Sequence, residues 1–143
     1  MGWCVYAYMS WWDKNRLVKT TTTHKDLDVW KLGIKLVKDL YILTKKLAKE
    51  EQFGLISQMR RCAVSIPSNI AEGAARNSRK EYIQFLYISL GSLSELETHL
   101  IICKELSYLS NISDYMEKVE VMRRKMLNLI KYLKRTWVDV FMC

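Results

Sequence analysis

The chain has one proline and five glycines in 143 residues. So few obligatory bends and stops favour helices. The four cysteines, Cys4, Cys62, Cys103 and Cys143, show no paired metal-ligand spacing. They form no disulfide framework either, so a reducing, cytoplasmic setting is expected. Cys62 and Cys103 fall among apolar helical positions and read as small core residues. Only two histidines are present, His24 and His99. A di-metal carboxylate site in a helical bundle needs a Glu-x-x-His motif on each of two helices. Glu95 lies four residues before His99 and Glu97 two before it, so the pattern fails. One interior histidine also leaves no Ser-His-Asp or Cys-His scheme. Ala71-Glu72-Gly73-Ala74 is not a phosphate loop. A catalytic carboxylate at Glu72 would need a second acid or a metal, which the sequence does not supply. No catalytic residue, metal or cofactor is therefore assigned, and the chain is not expected to be an enzyme.

Long apolar runs are missing too. Residues 1–12, MGWCVYAYMSWW, are aromatic-rich. They lack the charged start and apolar core of a signal peptide, and they are too short to span a membrane. No membrane partner is expected. What is abundant is positive charge. Lys and Arg number 23 against 15 Asp and Glu, a net charge of +8, which favours polyanionic partners. Half the residues are hydrophobic, and the length suits one domain with a sizeable core.

The single proline sits in Val64-Ser65-Ile66-Pro67-Ser68-Asn69-Ile70-Ala71-Glu72-Gly73. Leu55, Met59, Cys62, Ala63, Ile66 and Ile70 keep helical spacing up to and through it. A proline inside a helix removes a hydrogen bond and crowds the carbonyl four residues back, that of Ala63, at a cost of about 3 kcal/mol. A kinked but continuous helix ending at Gly73 or soon after is expected. Ser65, Ser68 and Asn69 would then re-satisfy the freed backbone. The rival is a break with Ser65 as a new N-cap.

Around this block stand Asp26-Leu27-Asp28-Val29-Trp30-Lys31, then Phe53-Gly54-Leu55 with Gln58-Met59-Arg60-Arg61, and later Gly91-Ser92-Leu93-Ser94-Glu95-Leu96-Glu97. In this order they resemble the bacterial 23S rRNA intervening-sequence proteins over roughly residues 24–135. The resemblance implies an all-α, antiparallel up-down-up-down four-helix bundle that assembles into a homo-oligomeric ring, commonly a pentamer. It implies no catalytic activity, and the family name records gene location more than biochemistry.

The chain divides into an N-terminal extension (1–23), the bundle (24–137) and a C-terminal tail (138–143). Residues 1–17 read as an upstream translation artefact, with Val18 as the true start. The alternative is a genuine aromatic extension. Helix one is expected from Asp26 to Lys49, with two apolar stripes: Trp30, Ile34, Val37, Tyr41 and Ala48, and beside them Val29, Leu36, Leu40, Leu43 and Leu47. Either both form one broad core face, or one faces a neighbouring subunit. Helix two starts near Leu55. Helix three spans Arg79 to Leu106 behind a Ser78–Glu81 capping box. Mid-helix Gly91 marks a close helix approach. Glu95 and Glu97 need partners if buried, and Arg60 and Arg61 are the candidates. Helix four begins with Ser113 as its cap, with Met116, Val119, Met122, Met126, Ile130 and Leu133 on its core face.

Two basic clusters remain. One is Arg76, Arg79 and Lys80, and the other is Arg123, Arg124, Lys125, Lys131, Lys134 and Arg135. They lie toward opposite ends of their own helices and need not form one patch within a protomer. The leading function is a non-enzymatic, oligomeric module binding RNA or another nucleic acid through these residues. The alternative is a scaffold that recruits a partner protein through the ring. The residues Ser65, Pro67, Asn69, Glu72, Gly73, Glu95 and Glu97 serve either helix packing or a polar binding spot.

Overall fold

The structure is a computed structural model that describes residues 23–141. The expectations for residues 1–22 and for the last two residues lie outside this range. The described chain is all-helical, with four α-helices and no strand: α1 Asp28–Thr44, α2 Leu55–Ala75, α3 Arg79–Glu105 and α4 Ser113–Phe141. Short 3-10 turns precede α1 (His24–Asp26) and α2 (Lys49–Gln52).

Helix α1 is shorter at both ends than its apolar spacing predicts. At its start the Thr23 N–H donates to Asp26 Oδ2 at 3.0 Å. This closes a separate turn, and extended Leu27 (φ −71°, ψ 125°) resets the chain before Asp28. At its end the bonding tightens to three-residue spacing at Lys46 and Leu47. Extended Ala48 (ψ 139°) then breaks the helix. Leu47 stays buried although it is no longer helical. The break lets Glu51 reach the next helix, where its Oε2 accepts from the Leu55 N–H at 3.3 Å, one of the donors a helix start leaves open.

Helix α2 runs unbroken through Pro67 and ends two residues beyond Gly73. The carbonyls served around the proline are those of Val64, by Ser68 Oγ at 2.8 Å, and of Ser65, by Asn69 Nδ2 at 2.8 Å. Buried Ser89 of α3 donates to the Ile66 carbonyl at 3.0 Å. Ser65 and Ser92 share a hydroxyl contact of 2.8 Å. The small polar residues of α3 thus tie it to the proline-bearing turn of α2. The sequence suggests local repair by α2 alone; half of the hydroxyls used come from α3.

Helix α3 begins as expected, with Ser78 Oγ accepting from the Glu81 N–H at 3.4 Å. It ends in a Schellman motif: Ser107 at φ 57°, with Ser107 N–H to the Lys104 carbonyl and Tyr108 N–H to that of Cys103, both 2.9 Å. At α4 the cap differs from expectation. Ser113 is the first helical residue, and Asn111 Oδ1 receives its N–H at 2.8 Å.

The core gathers Leu36 and Leu40 of α1, Met59, Ile66 and Ile70 of α2, Leu86, Leu93, Leu96 and Leu100 of α3, and Val119, Met122, Met126 and Ile130 of α4. Each fully buried Leu or Ile contributes about 1.5–3 kcal/mol. Of the two α1 stripes, the one with Leu36, Leu40 and Leu43 is buried, while Ile34 and Tyr41 of the other reach the surface. Cys62 and Cys103 are free and buried, and the Cys103 thiol lies 3.7 Å from Met59 Sδ.

The close helix approaches fall at glycines other than Gly91. A Cβ on Gly33 would meet the Pro67 Cβ at 3.2 Å, and one on Gly73 would meet the Phe85 Cβ at 2.7 Å and Tyr82 Cδ2 at 2.8 Å. A Cβ on Gly91 would meet nothing within 4 Å. Gly91 faces outward because the inward positions of its turn are taken by Ser89 and Leu93.

Candidate nucleic-acid interface

Parts of the two basic clusters meet in one protomer. The start of α3 and the far half of α4 lie side by side, so Lys80, Ile83, Gln84, Tyr87 and Lys134 line one groove. Leu127, Ile130, Lys131 and Arg135 line its continuation past Tyr87 and Lys134. Lys134 Nζ donates to Tyr87 Oη at 3.0 Å and sits 5.3 Å from the ring centroid, which fixes a lysine against a half-exposed aromatic. Arg79, Lys80, Lys131 and Arg135 are exposed, and among the described residues no carboxylate pairs with any of them. Phosphate oxygens would find these cations available, with no internal ion pair to break.

The other cations of the sequence reading are engaged. Arg76 Nη2 meets Glu72 Oε1 at 2.6 Å, and its guanidinium lies 4.9 Å over Phe85. Arg123 bridges Glu97 and Glu120, the latter at 2.9 Å. Partial burial pulls the Arg123 pKa down, but the hydrogen bonds it donates to the two carboxylates outweigh this and hold the guanidinium charged. Arg124 shares Glu120 at 3.9 Å, and Lys125 lies 3.9 Å from Asp28.

The partners foreseen for the α3 glutamates need correction. Glu97 pairs with Arg123 of α4, and Glu95 lies 3.5 Å from His99. Neither meets Arg60 or Arg61. Arg60 instead donates from Nε to Thr44 Oγ1 at 2.9 Å and stacks on Tyr41. In the proline block, Asn69 Nδ2 is held by Ser65, and Glu72 by Arg76. Gly73 is the contact point with Phe85.

Sequence reasoning missed Gln84 and Tyr87. Their signal was legible: Lys80, Gln84 and Tyr87 follow helical spacing along one stripe, as do Leu127, Lys131 and Lys134. Among the described residues no three His, Cys, Asp or Glu side chains gather to hold a metal ion. No described helix is long and apolar enough to cross a membrane.

Four helices around one core, with a cationic groove between two of them, define a helical-bundle protein. The family model for the 23S rRNA-intervening sequence protein matches residues 25–131, and the chain belongs to that family. It is also similar to the crystal structure of a protein with unknown function from the S23 ribosomal protein family of Bacteroides thetaiotaomicron. The two share 24% identity and a TM-score of 0.65, over 72% of this chain and 95% of that one. That likeness supports the fold. Comparison with curated proteins gives no match.

Proposed function

We propose that this chain is a non-enzymatic, cytoplasmic RNA-binding module. It acts as an antiparallel up-down-up-down bundle assembled into a homo-oligomeric ring, a pentamer on the family resemblance. The observation that carries the binding reading is the convergence of Lys80, Lys131, Lys134 and Arg135, cations from two helices without a described acidic partner, around Tyr87. The net charge of +8 acts in the same direction, and a ring would repeat the groove. Such contacts hold phosphate with little sequence preference. The outer face of α3 supports self-association: Ile88, Ile101 and Ile102 are exposed there on both sides of Gly91. A helix apolar on both faces is suited to burial on both.

The test is binding of a structured RNA hairpin measured between 50 and 200 mM salt. Replacing Lys131, Lys134 and Arg135 with glutamine is expected to weaken binding and to reduce the salt slope by about 0.9 for each phosphate that is no longer neutralised. Replacing Arg124 is expected to change little, because it does not line the groove and shares Glu120 with Arg123. Unchanged affinity in the triple variant would overturn the reading. Capture of a stoichiometric protein partner without RNA, abolished on changing Ile88 or Ile101, would favour the scaffold alternative.

A further inference from the structure

A second groove lies between the end of α1 and the first half of α2, with a volume of about 670 Å³. Tyr41, Phe53, Ser57, Arg60, Arg61 and Ser65 are among its lining residues. The function proposed above leaves it unused.

Its chemistry is specific. Thr44, 1% exposed, accepts the Nε–H of Arg60 and donates its own hydroxyl to the Tyr41 carbonyl at 3.3 Å. The guanidinium carbon then sits 4.7 Å from the Tyr41 ring centroid. Arg60 is therefore held from one side while its two terminal NH2 groups stay available, a pre-set fork for an oxyanion. Neither Arg60 nor Arg61 pairs with a carboxylate among the described residues; Glu97 is held by Arg123, and Glu95 lies 3.5 Å from His99. Beside this fork Phe53 is 93% exposed, on the turn just before α2. A bare phenyl ring next to arginines without a described carboxylate partner matches the two parts of a nucleotide, a π-face and a phosphate.

A second copy of this chain fits less well. The acids Asp39, Asp114 and Glu117 share their own groove with Lys35 and Lys118, and Lys118 Nζ already holds Asp39 at 2.6 Å. We propose that the Phe53–Arg60–Arg61 groove binds unpaired nucleotides, with a base stacked on Phe53 and the adjoining phosphate on Arg60 and Arg61. This rests on the nucleic-acid reading and deepens it. Arg60 lies thirteen residues before Gly73, where α3 approaches, or about 20 Å along α2. The groove is thus a contact separate from the Lys80–Lys134 patch, suited to an unpaired segment flanking a stem.

The test compares two labelled RNAs at one salt concentration: an unstructured ten-nucleotide strand and a blunt duplex. Phe53→Ala is expected to weaken the single strand roughly five- to tenfold, the lower end of what one stacked base contributes, and Arg61→Gln to weaken it and lower its salt dependence through the lost phosphate contact. Both should leave the duplex within about twofold, since the groove holds its phosphate only when the adjoining base is unpaired and stacked on Phe53. The Lys131→Gln/Lys134→Gln variant should weaken both RNAs. If Phe53→Ala and Arg61→Gln bind the single strand like the parent while the lysine variant loses affinity, the groove inference is overturned and the patch stands. If only the groove variants lose affinity, the patch reading fails and the groove stands. Absence of any RNA binding at low salt overturns both. Phe53→Ala is also run by sedimentation velocity. Smaller assemblies with undiminished single-strand binding would assign Phe53 to a subunit contact and overturn its stacking role. Arg61→Gln alters only an exposed charge, so it keeps the single-strand comparison decisive if Phe53→Ala assembles poorly.

Discussion

Replacing Gly73 with alanine tests the packing of α2 on α3. In a free helix the change stabilises by about 1 kcal/mol, because alanine loses less backbone entropy than glycine. Here the new methyl would lie 2.7 Å from the Phe85 Cβ and 2.8 Å from Tyr82 Cδ2, with the Tyr82 carbonyl at 3.3 Å. The Phe85 Cβ is bonded directly to the backbone, so no rotamer change removes it. The first contact falls about 0.7 Å inside ordinary van der Waals separation. Relief requires the helices to part at this end. Overpacking of this kind costs about 1–3 kcal/mol, and an immovable neighbour places it near the top. The net expectation is a loss of about 1–2 kcal/mol, the cost reduced by the helix gain. At a urea slope near 2 kcal/mol/M the midpoint falls by about 0.5–1 M. The assay is urea unfolding followed by circular dichroism at one fixed protein concentration, since self-association shifts apparent stability. Gly33→Ala, with its nearest contact at 3.2 Å, should lie close to the parent. A Gly73→Ala midpoint equal to or above the parent's would refute the argument, because the helix gain alone would then be visible.

Gly91→Ala should leave the protomer's helical signal intact and shift sedimentation toward smaller species if the outer face of α3 carries the subunit contact; unchanged assembly counts against that face. Ser107→Gly should raise stability by about 0.5–1 kcal/mol in the same urea assay, because φ 57° suits glycine better than serine. Burial, with Glu95 adding to it, pushes the Cys62 thiol up to about 11. The thiol is folded neutral, so its contribution is fully present below the unfolded thiol range near pH 8.5 and is lost as the pH rises toward 11. Unfolding midpoints should fall across that window, and Cys62→Ala should flatten the fall. Burial also raises Cys103 and Tyr82, so a slope should remain in that variant. In the native protein near pH 8, a small alkylating reagent should leave Cys62 and Cys103 unmodified, as mass spectrometry of the digested chain would show.

Much of the bundle was legible because the seams are written at helical spacing. Val29, Leu36, Leu40 and Leu43 on α1, and Val119, Met122, Met126 and Ile130 on α4, form the core the pattern predicts. The termini were less legible. The end of α1 depends on where Glu51 must stand to meet Leu55, a contact between elements that local propensity does not encode. Gly91 misled for a related reason. A mid-helix glycine announces an approach, but the approaches within this chain lie at Gly33 and Gly73, and which face of α3 turns inward is decided by the whole seam. For the candidate site, single residues were visible and their company was not. Charge runs identified Lys80 and Lys134, whereas their meeting at Tyr87 depends on how α3 lies against α4. Arg123 and Arg124 looked equally available in sequence, yet Glu97 and Glu120 engage them.

The contact between Gly33 and Pro67 has a consequence for how the helices find their alignment. Leucine and isoleucine seams are forgiving, since sliding one helix by a turn brings similar side chains into similar gaps. A notch at Gly33 facing a rigid ring at Pro67, 3.2 Å from where a Cβ would stand, acts as a detent. One turn either way, residues near Trp30 or Val37 would oppose the ring, and neither leaves room for it. The proline that weakens α2 as an isolated helix thereby sets the register of the α1–α2 pair. Insertions between residues 45 and 54 should leave that register intact, while a whole turn added between Gly33 and Thr44 should leave the notch engaged and displace every contact beyond it.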